Sequence, residues 1–430
     1  MKIFQLLEGI FQTLSLDFCD SPGERILDSQ EFSLISNEIP CWSELLHQGL
    51  KEEKAETLRT IRHVFRSLWV YFSILNDNFD SNIEKHEINL IKANLKSIHS
   101  YNPDFFPLIL LYHDIGRPFD KEWHAHESAR LILKNGLFER FELTTIQKKI
   151  LMGVIKNHLL PGTIFTGESN YCGALSLFHD GDLNEIWETK EHTYQFFNSL
   201  MLFTIIDIWG YDYSKIFNHY FVYYRKIRDT LIDIFHEVSS LSLDPNTRYQ
   251  QAYKRLREVD RLNFKWRVAC ALRIFQFVDT RPDQSVESYY IKIEQSLAEI
   301  NKTWEEFATQ LSPEHFLIQF KYALPIMMVL ASETFFRKPM APDATIKPEL
   351  FDFWDVCIHT IKSLRLSMNK LSNDSDVLWN FIFELPWGWF LQKKYLKLVR
   401  SKQFLEQIRN CQPSFNAELN SYIIHVNLKE

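Results

Sequence analysis

The chain has 430 residues, a net charge of −7 and only 12 glycines, with 46% hydrophobic and 15% aromatic residues. The acidic balance argues against a globally basic nucleic-acid binder, and the shortage of glycine leaves little for Gly-rich phosphate loops. Six cysteines at 19, 41, 172, 270, 357 and 411 form no CxxC pair, which speaks against a zinc ribbon or a dense disulfide framework and favours a reducing, cytoplasmic setting.

Residues 1–50 read as a short helix and an irregular N-terminal extension, with "CDSPGE" as a turn. The opening "MKIFQLLEGIFQTLSLDFCD" lacks the charged start and long apolar run of a signal peptide. Between 52 and 75, Leu58, Ile61, Phe65, Leu68, Phe72 and Leu75 recur every three or four positions and predict a helix that "NDNFDSN" ends. A buried helix follows from about Asp104, with Pro107 near its first turn and Gly116 as its stop. "RPFDKEW" is a loop, "HESARLILKNG" a helix stopped by Gly136, and "LTTIQKKILMGVIKNH" a helix capped by Thr144 or Thr145 with Pro161 past its end.

"PGTIFTGESNYCG" reads as a loop. Gly162 and Gly167 stand at phosphate-loop spacing, but Glu168 follows where a lysine is needed, and a carboxylate repels phosphate. "FFNSLMLFTIIDIWGY", 196–211, is a buried helix too short to span a bilayer and interrupted by Asp207. Beyond about 220 the chain continues in helical periods punctuated by "SLDPNT", "TRPDQS", "RKPMAPDATIKPEL" and "LSNDSD". "WGWFLQKKYLKLVRSKQF" reads as a terminal amphipathic helix packed on its own domain. The expectation is an all-α, soluble chain without a membrane span.

Chemistry concentrates in "FFPLILLYHDIGRPF", 105–119, where a nearly wholly apolar run meets His113 and Asp114. Burying an ionised carboxylate costs several kcal/mol unless something pairs with it, so either a hydrogen-bonded pair or a bound cation is required. His158 continues the apolar stripe of Ile146, Ile150 and Val154 and faces inward. Asp207 lies between Ile206 and Ile208. His126 shares a side with Ala129 and Leu133, whereas His124 faces elsewhere once the helix has begun. His63 lies off the main stripe of its helix, on the side of Val70. Each residue alone is better explained as a bonded core group. Together they supply the imidazoles and carboxylates that bind Zn, Mn, Fe or Co.

"TIRHVFRSL" with His63, "LLYHDIGRPF" with His113 and Asp114, "HESARLIL" with His126, "VIKNHLLPG" with His158 and "LFTIIDIWGY" with Asp207 follow one another in an order that resembles the HD superfamily of metal-dependent phosphohydrolases. The match covers residues 55–215. It implies an HD-type helical bundle over 51–220, with a helical region of unassigned role over 221–430. It also implies one divalent metal on His63, His113, Asp114 and Asp207, with His126 and His158 holding a second metal or touching phosphate. The metal could be Mn, Fe, Zn, Co or Mg.

Two departures stand out: Arg117 replaces the usual lysine after "HDIG", and the gap from His63 to His113 is long, which makes His86 and His99 rivals for the first ligand. Both rivals sit in polar stretches. The implied activity is hydrolysis of a phosphoester of a nucleotide or another small phosphorylated molecule by metal-activated water. Asp114 is then catalytic, and His126 or His158 protonates the leaving group. Arg62, Arg66, Arg117, Lys121 and Lys156 flank the ligands and are candidates to hold substrate charge. Two other readings share the ligands: a di-iron oxygenase, and an inactive binding or regulatory module.

Overall fold

The computed structural model describes residues 3–81, 83–211, 218–239, 244, 246–259, 288–306, 317–331, 346–368, 377–386, 388–417 and 419–427. The turns expected at "TRPDQS" and "LSNDSD" and most of "RKPMAPDATIKPEL" lie outside the described residues. Two compact units emerge, Met1–Pro161 with Gly181–Ser242, and Gly162–Asp180 with Leu243–Glu430.

In the first unit, the first fifty residues are more regular than expected. They form α1 (Ile3–Phe11), α2 (Leu16–Cys19), α3 (Gly23–Leu27), α4 (Gln30–Glu38) and α5 (Pro40–Glu52). Ser15 and Ser29 accept backbone N–H bonds at the starts of α2 and α4, and Pro40 presets the first turn of α5. These caps divide what reads as irregular chain into short helices. α6 (Lys54–Leu75) packs against α3, α5 and α8, with Ile61, Phe65, Leu68 and Phe72 fully buried on the expected face. Each such side chain contributes about 1.5–3 kcal/mol. α7 (Lys85–Tyr101) occupies the polar stretch after α6 and buries Ile91, Leu95 and Ile98.

α8 (Phe105–Tyr112) is buried along its whole length. Asp104 Oδ1 accepts from the Phe4 N–H at 2.8 Å, and Trp42 Nε1 donates to the Leu111 carbonyl at 2.8 Å. The second bond satisfies a last-turn carbonyl that no helical N–H reaches. α9 (His124–Lys134) and α10 (Thr145–Lys156) follow, and Thr144 and Gln147 cap α10 reciprocally. Where a loop was expected, α11 (Leu160–Thr166) forms, because Pro161 in its first turn is preset for helix. α12 (Ser176–His179) belongs to the second unit; α13 (Lys190–Trp209) and α14 (Asn218–Ser239) return to the first. Arg225 of α14 forms a two-pronged ion pair with buried Glu87 of α7.

The second unit corrects the all-α expectation for 221–430. It holds a four-stranded sheet in the order β1 (Ile318–Lys321), β2 (Leu378–Glu384), β4 (Ser421–Asn427) and β3 (Pro413–Asn416). β1 and β4 run parallel to β2, with Phe320 opposite Phe381 and Phe381 opposite Ile424, while β3 pairs antiparallel to β4. Parallel pairing demands long crossovers. Leu324–Ala331 and Glu349–Ser367 lie in one, and Lys393–Val399 and Lys402–Asn410 in the other. Glu168, where a phosphate-loop lysine would stand, is half-buried and accepts the Leu324 N–H at 3.0 Å. Its carboxylate caps a helix instead of meeting a phosphate, and burial raises its pKa. No helix among the described residues is long and apolar enough to cross a membrane.

Candidate metal centre

Five elements of the first unit bring six side chains together. His63 comes from the middle of α6, His113 and Asp114 from the turn after α8, and His124 from the first residue of α9. His158 follows α10, and Asp207 stands in the last turn of α13. His113 and Asp114 are 0% and 2% exposed, so solvent does not stabilise their charges.

Asp207 Oδ1 lies 2.7 Å from His63 Nε2 and 3.4 Å from His113 Nε2. Asp114 faces both ways. Its Oδ2 is 3.7 Å from His113 Nε2, and its Oδ1 is 3.2 Å from His124 Nε2 and 3.7 Å from His158 Nε2. Phe203 closes the apolar side, with its ring centroid 4.8 Å from His113 and 5.5 Å from His158. The Tyr211 ring stacks on His63 at 4.2 Å.

Which ring nitrogen faces the carboxylates is set by the backbone. The Nδ1 atoms of His113, His124 and His158 lie 3.0, 3.1 and 2.8 Å from the carbonyl oxygens of Leu110, Lys121 and Ile155. A carbonyl only accepts, so each Nδ1 carries the hydrogen and each neutral ring presents a bare Nε2 lone pair. Three lone pairs aimed at carboxylate oxygens repel unless a cation or a proton lies between them. Two overlapping groups, His63–His113–Asp114 and Asp114–His124–His158, have ligand atoms within 4.8 Å of one another and can hold a metal ion. Imidazole and carboxylate donors suit a divalent transition metal.

The electrostatics split the cluster. Burial opposes charge on His113, but Asp114 and Asp207 outweigh it and raise its pKa. Burial pushes His124 down to about 3 and also lowers His158, helped there by the charge of His113. Burial opposes ionisation of Asp114, yet His113, His124 and Arg117 hold its carboxyl well below the usual range. Asp207 is lowered in the same way, chiefly by His63 against the cost of burial. The two halves thus differ: the carboxylates favour charge on the His113 ring, whereas burial favours neutral rings at His124 and His158.

Most of the sequence-predicted residues meet here, with one exchange. His124 faces Asp114; His126 is half-buried and packs edge-on to Trp123 at 6.2 Å. The expected stripe of His126, Ala129 and Leu133 fails because Leu133 is 67% exposed. The buried side of α9 runs through His124, Ala125, Ser128, Ala129, Leu131 and Ile132. Asp120 Oδ1 accepts the N–H groups of Glu122 at 3.0 Å and Trp123 at 2.8 Å, and this side-chain turn sets where α9 starts. His86 is exposed beside Glu84, and His99 packs on Phe4, so neither rival joins the cluster.

Among the expected cations, Arg117 donates from Nη1 to Asp114 Oδ2 at 3.4 Å and to the Tyr211 hydroxyl at 3.4 Å. Lys121 lies one residue removed, paired with Glu56. Arg66 is committed elsewhere, to Asp20 and the Trp209 carbonyl, which ties α6 to α2 and α13 and leaves it a structural residue. Arg62 and Lys156 sit half-buried near His63 and His158.

The exchange gives a direct expectation. His124→Ala should weaken the binding of one of two Mn²⁺ or Zn²⁺ equivalents by about tenfold or more. His126→Ala should leave both equivalents unchanged in titration calorimetry. The reverse pattern would put the ligand back at His126. Comparison of the whole chain with family models, curated proteins and solved structures returns no match, so the centre is defined by its own geometry.

Proposed function

We propose that this chain is an HD-type metal-dependent phosphohydrolase acting on a phosphoester of a nucleotide or another small phosphorylated molecule. The observation that carries the reading is Asp114, a buried carboxylate that turns one oxygen toward His113 and the other toward His124 and His158. A carboxylate shared in this way suits two cations side by side. His63, His113, Asp114 and Asp207 would hold the first, and Asp114, His124 and His158 the second. Bound divalent metal supplies a hydroxide nucleophile near neutral pH and polarises a phosphoryl oxygen.

The remaining work falls to the protein. The carbonyls of Leu110, Lys121 and Ile155 fix three rings so that ligand geometry needs little reorganisation. Phe203 keeps water from one side and raises the strength of the local field. Arg117 places a guanidinium beside Asp114, where it can offset charge on a transferring phosphoryl group. With His158 turned toward Asp114, it is read as a ligand in preference to a leaving-group acid.

The test pairs metal analysis of the purified chain with a panel of phosphomonoesters and phosphodiesters. One or two divalent ions per chain and phosphate release are expected, and Asp207→Ala should lower turnover by at least about a hundredfold. Two irons with oxygen uptake and no phosphate release would replace hydrolysis by oxygen activation. Metal without either activity would favour a regulatory module.

A further inference from the structure

Beside the centre stands a carboxylate that the ligand scheme leaves unused. Glu56 occupies the first turn of α6, where the helix N-terminus favours a negative charge. Its Oε2 accepts from Arg117 Nε at 3.0 Å, and its Oε1 pairs with Lys121 Nζ at 2.9 Å. Arg59 Nη1 lies 3.9 Å from the same Oε2. Burial opposes the charge on Glu56, but Lys121 and Arg117 outweigh it and keep the carboxyl ionised.

The two cations are held differently. Arg117 is 13% exposed and is anchored from Nη1 to Asp114 and Tyr211, so it stays beside the centre. Lys121 is 52% exposed and holds Glu56 from the solvent side. A long exposed lysine gives up such a pair at little cost. Arg117 Nη2 takes part in none of these bonds, which leaves a fork donor open on the same guanidinium.

We propose that Glu56 is a resident anion that a substrate must displace from Lys121 and Arg117, and that it makes the site selective for phosphate dianions. The inference rests on the hydrolase reading and narrows its substrate to phosphomonoesters. A phosphodiester carries one charge, as Glu56 does, so it exchanges like for like and strands the carboxylate. A monoester above its second pKa of about 6 carries two charges and gains from the exchange. Only the extra charge offsets the lost internal pairs.

Inorganic phosphate is the probe, measured by titration calorimetry on the full chain with its metal content matched between variants. Glu56→Gln keeps the shape and removes the charge, and should bind phosphate about three- to tenfold tighter than wild type. Glu56→Asp restores a charge and should return toward wild-type affinity, whereas Lys121→Met should weaken binding. On nitrophenyl esters, Glu56→Gln should lower KM for the diester more than for the monoester, so the preference narrows.

Unchanged, weaker or absent phosphate binding in Glu56→Gln overturns the proposal, as does equal tightening in Glu56→Asp. The two readings fail separately. Tighter phosphate binding by Glu56→Gln without any ester hydrolysis sinks the hydrolase and keeps the displaced anion. Hydrolysis with unaltered phosphate affinity does the opposite.

Discussion

Asp114→Asn is expected to remove both bound cations at once, whereas Asp207→Ala removes one. The asymmetry follows from where the oxygens point. Asp207 Oδ1 serves only His63 and His113. Asp114 serves His113 through Oδ2 and both His124 and His158 through Oδ1. An amide keeps the shape but loses the charge that a shared carboxylate contributes to each cation. Without it, each half retains too few anionic donors for a divalent ion in a buried site. Asp114→Ala goes further, because it also takes one of two carboxylates from Arg117, which keeps Glu56, and one of two from His113, which keeps Asp207. Breaking a buried pair from one side costs about 3–5 kcal/mol, so the alanine variant should also unfold at a lower temperature. Metal content by mass spectrometry, read beside circular dichroism, checks the point. An Asp114→Asn chain that folds and still holds two cations would remove the shared-carboxylate model.

How much of this centre was legible beforehand depends on the kind of helix each ligand occupies. His158 extends a one-sided apolar stripe, and Asp207 and the His113–Asp114 pair are flanked by large apolar residues, so their burial follows from period and composition. His63 follows a different rule. α6 is buried on two sides, and Thr60, His63 and Ser67 form a second, small and polar line beside the apolar one. Gly210 lets the end of α13 close on that line, since a Cβ there would lie 2.1 Å from Ser67 Oγ and 2.8 Å from His63 Cε1. A stripe of small polar residues at spacings of three and four was the available signal. His124 was hidden because a helix start was placed two residues late, and a shift of two positions turns a side chain about halfway round the helix.

The sheet was hidden for another reason. "VLWNFIFEL" packs on both faces and shows little alternation of apolar and polar residues, and "SYIIHVN" alternates only over its last four residues. A short, continuous apolar run reads equally as buried helix or parallel strand. The aromatic and β-branched content was the better guide, since such side chains fill a pleated surface well. Phe320, Phe381 and Phe383 do so here, with ring centroids 6.0 to 6.3 Å apart.

Gly116→Ala should damage the half of the centre that its own side chain never touches. A Cβ at Gly116 would lie 2.3 Å from Ser128 N, 2.7 Å from the Glu127 carbonyl carbon and 2.7 Å from His124 O. All three are backbone atoms of α9, so no side chain can rotate away. The Gly116 N–H also donates to Ser128 Oγ at 2.8 Å, which sets the approach of α9 to the turn after α8. One added methyl therefore has to push the start of α9 outward, and His124 moves with it from its 3.2 Å separation to Asp114. Overpacking of this kind costs about 1–3 kcal/mol. The expected result is a lower melting temperature together with selective weakening of the cation held by His124 and His158. The cation on His63 and His113 should be spared. Ser128→Ala is the control: it loses one hydrogen bond, worth about 1 kcal/mol, but keeps the close approach and both cations. Two-site metal titrations of these variants separate contact from bonding. Wild-type affinity at both sites in Gly116→Ala would show that something other than this backbone contact places His124.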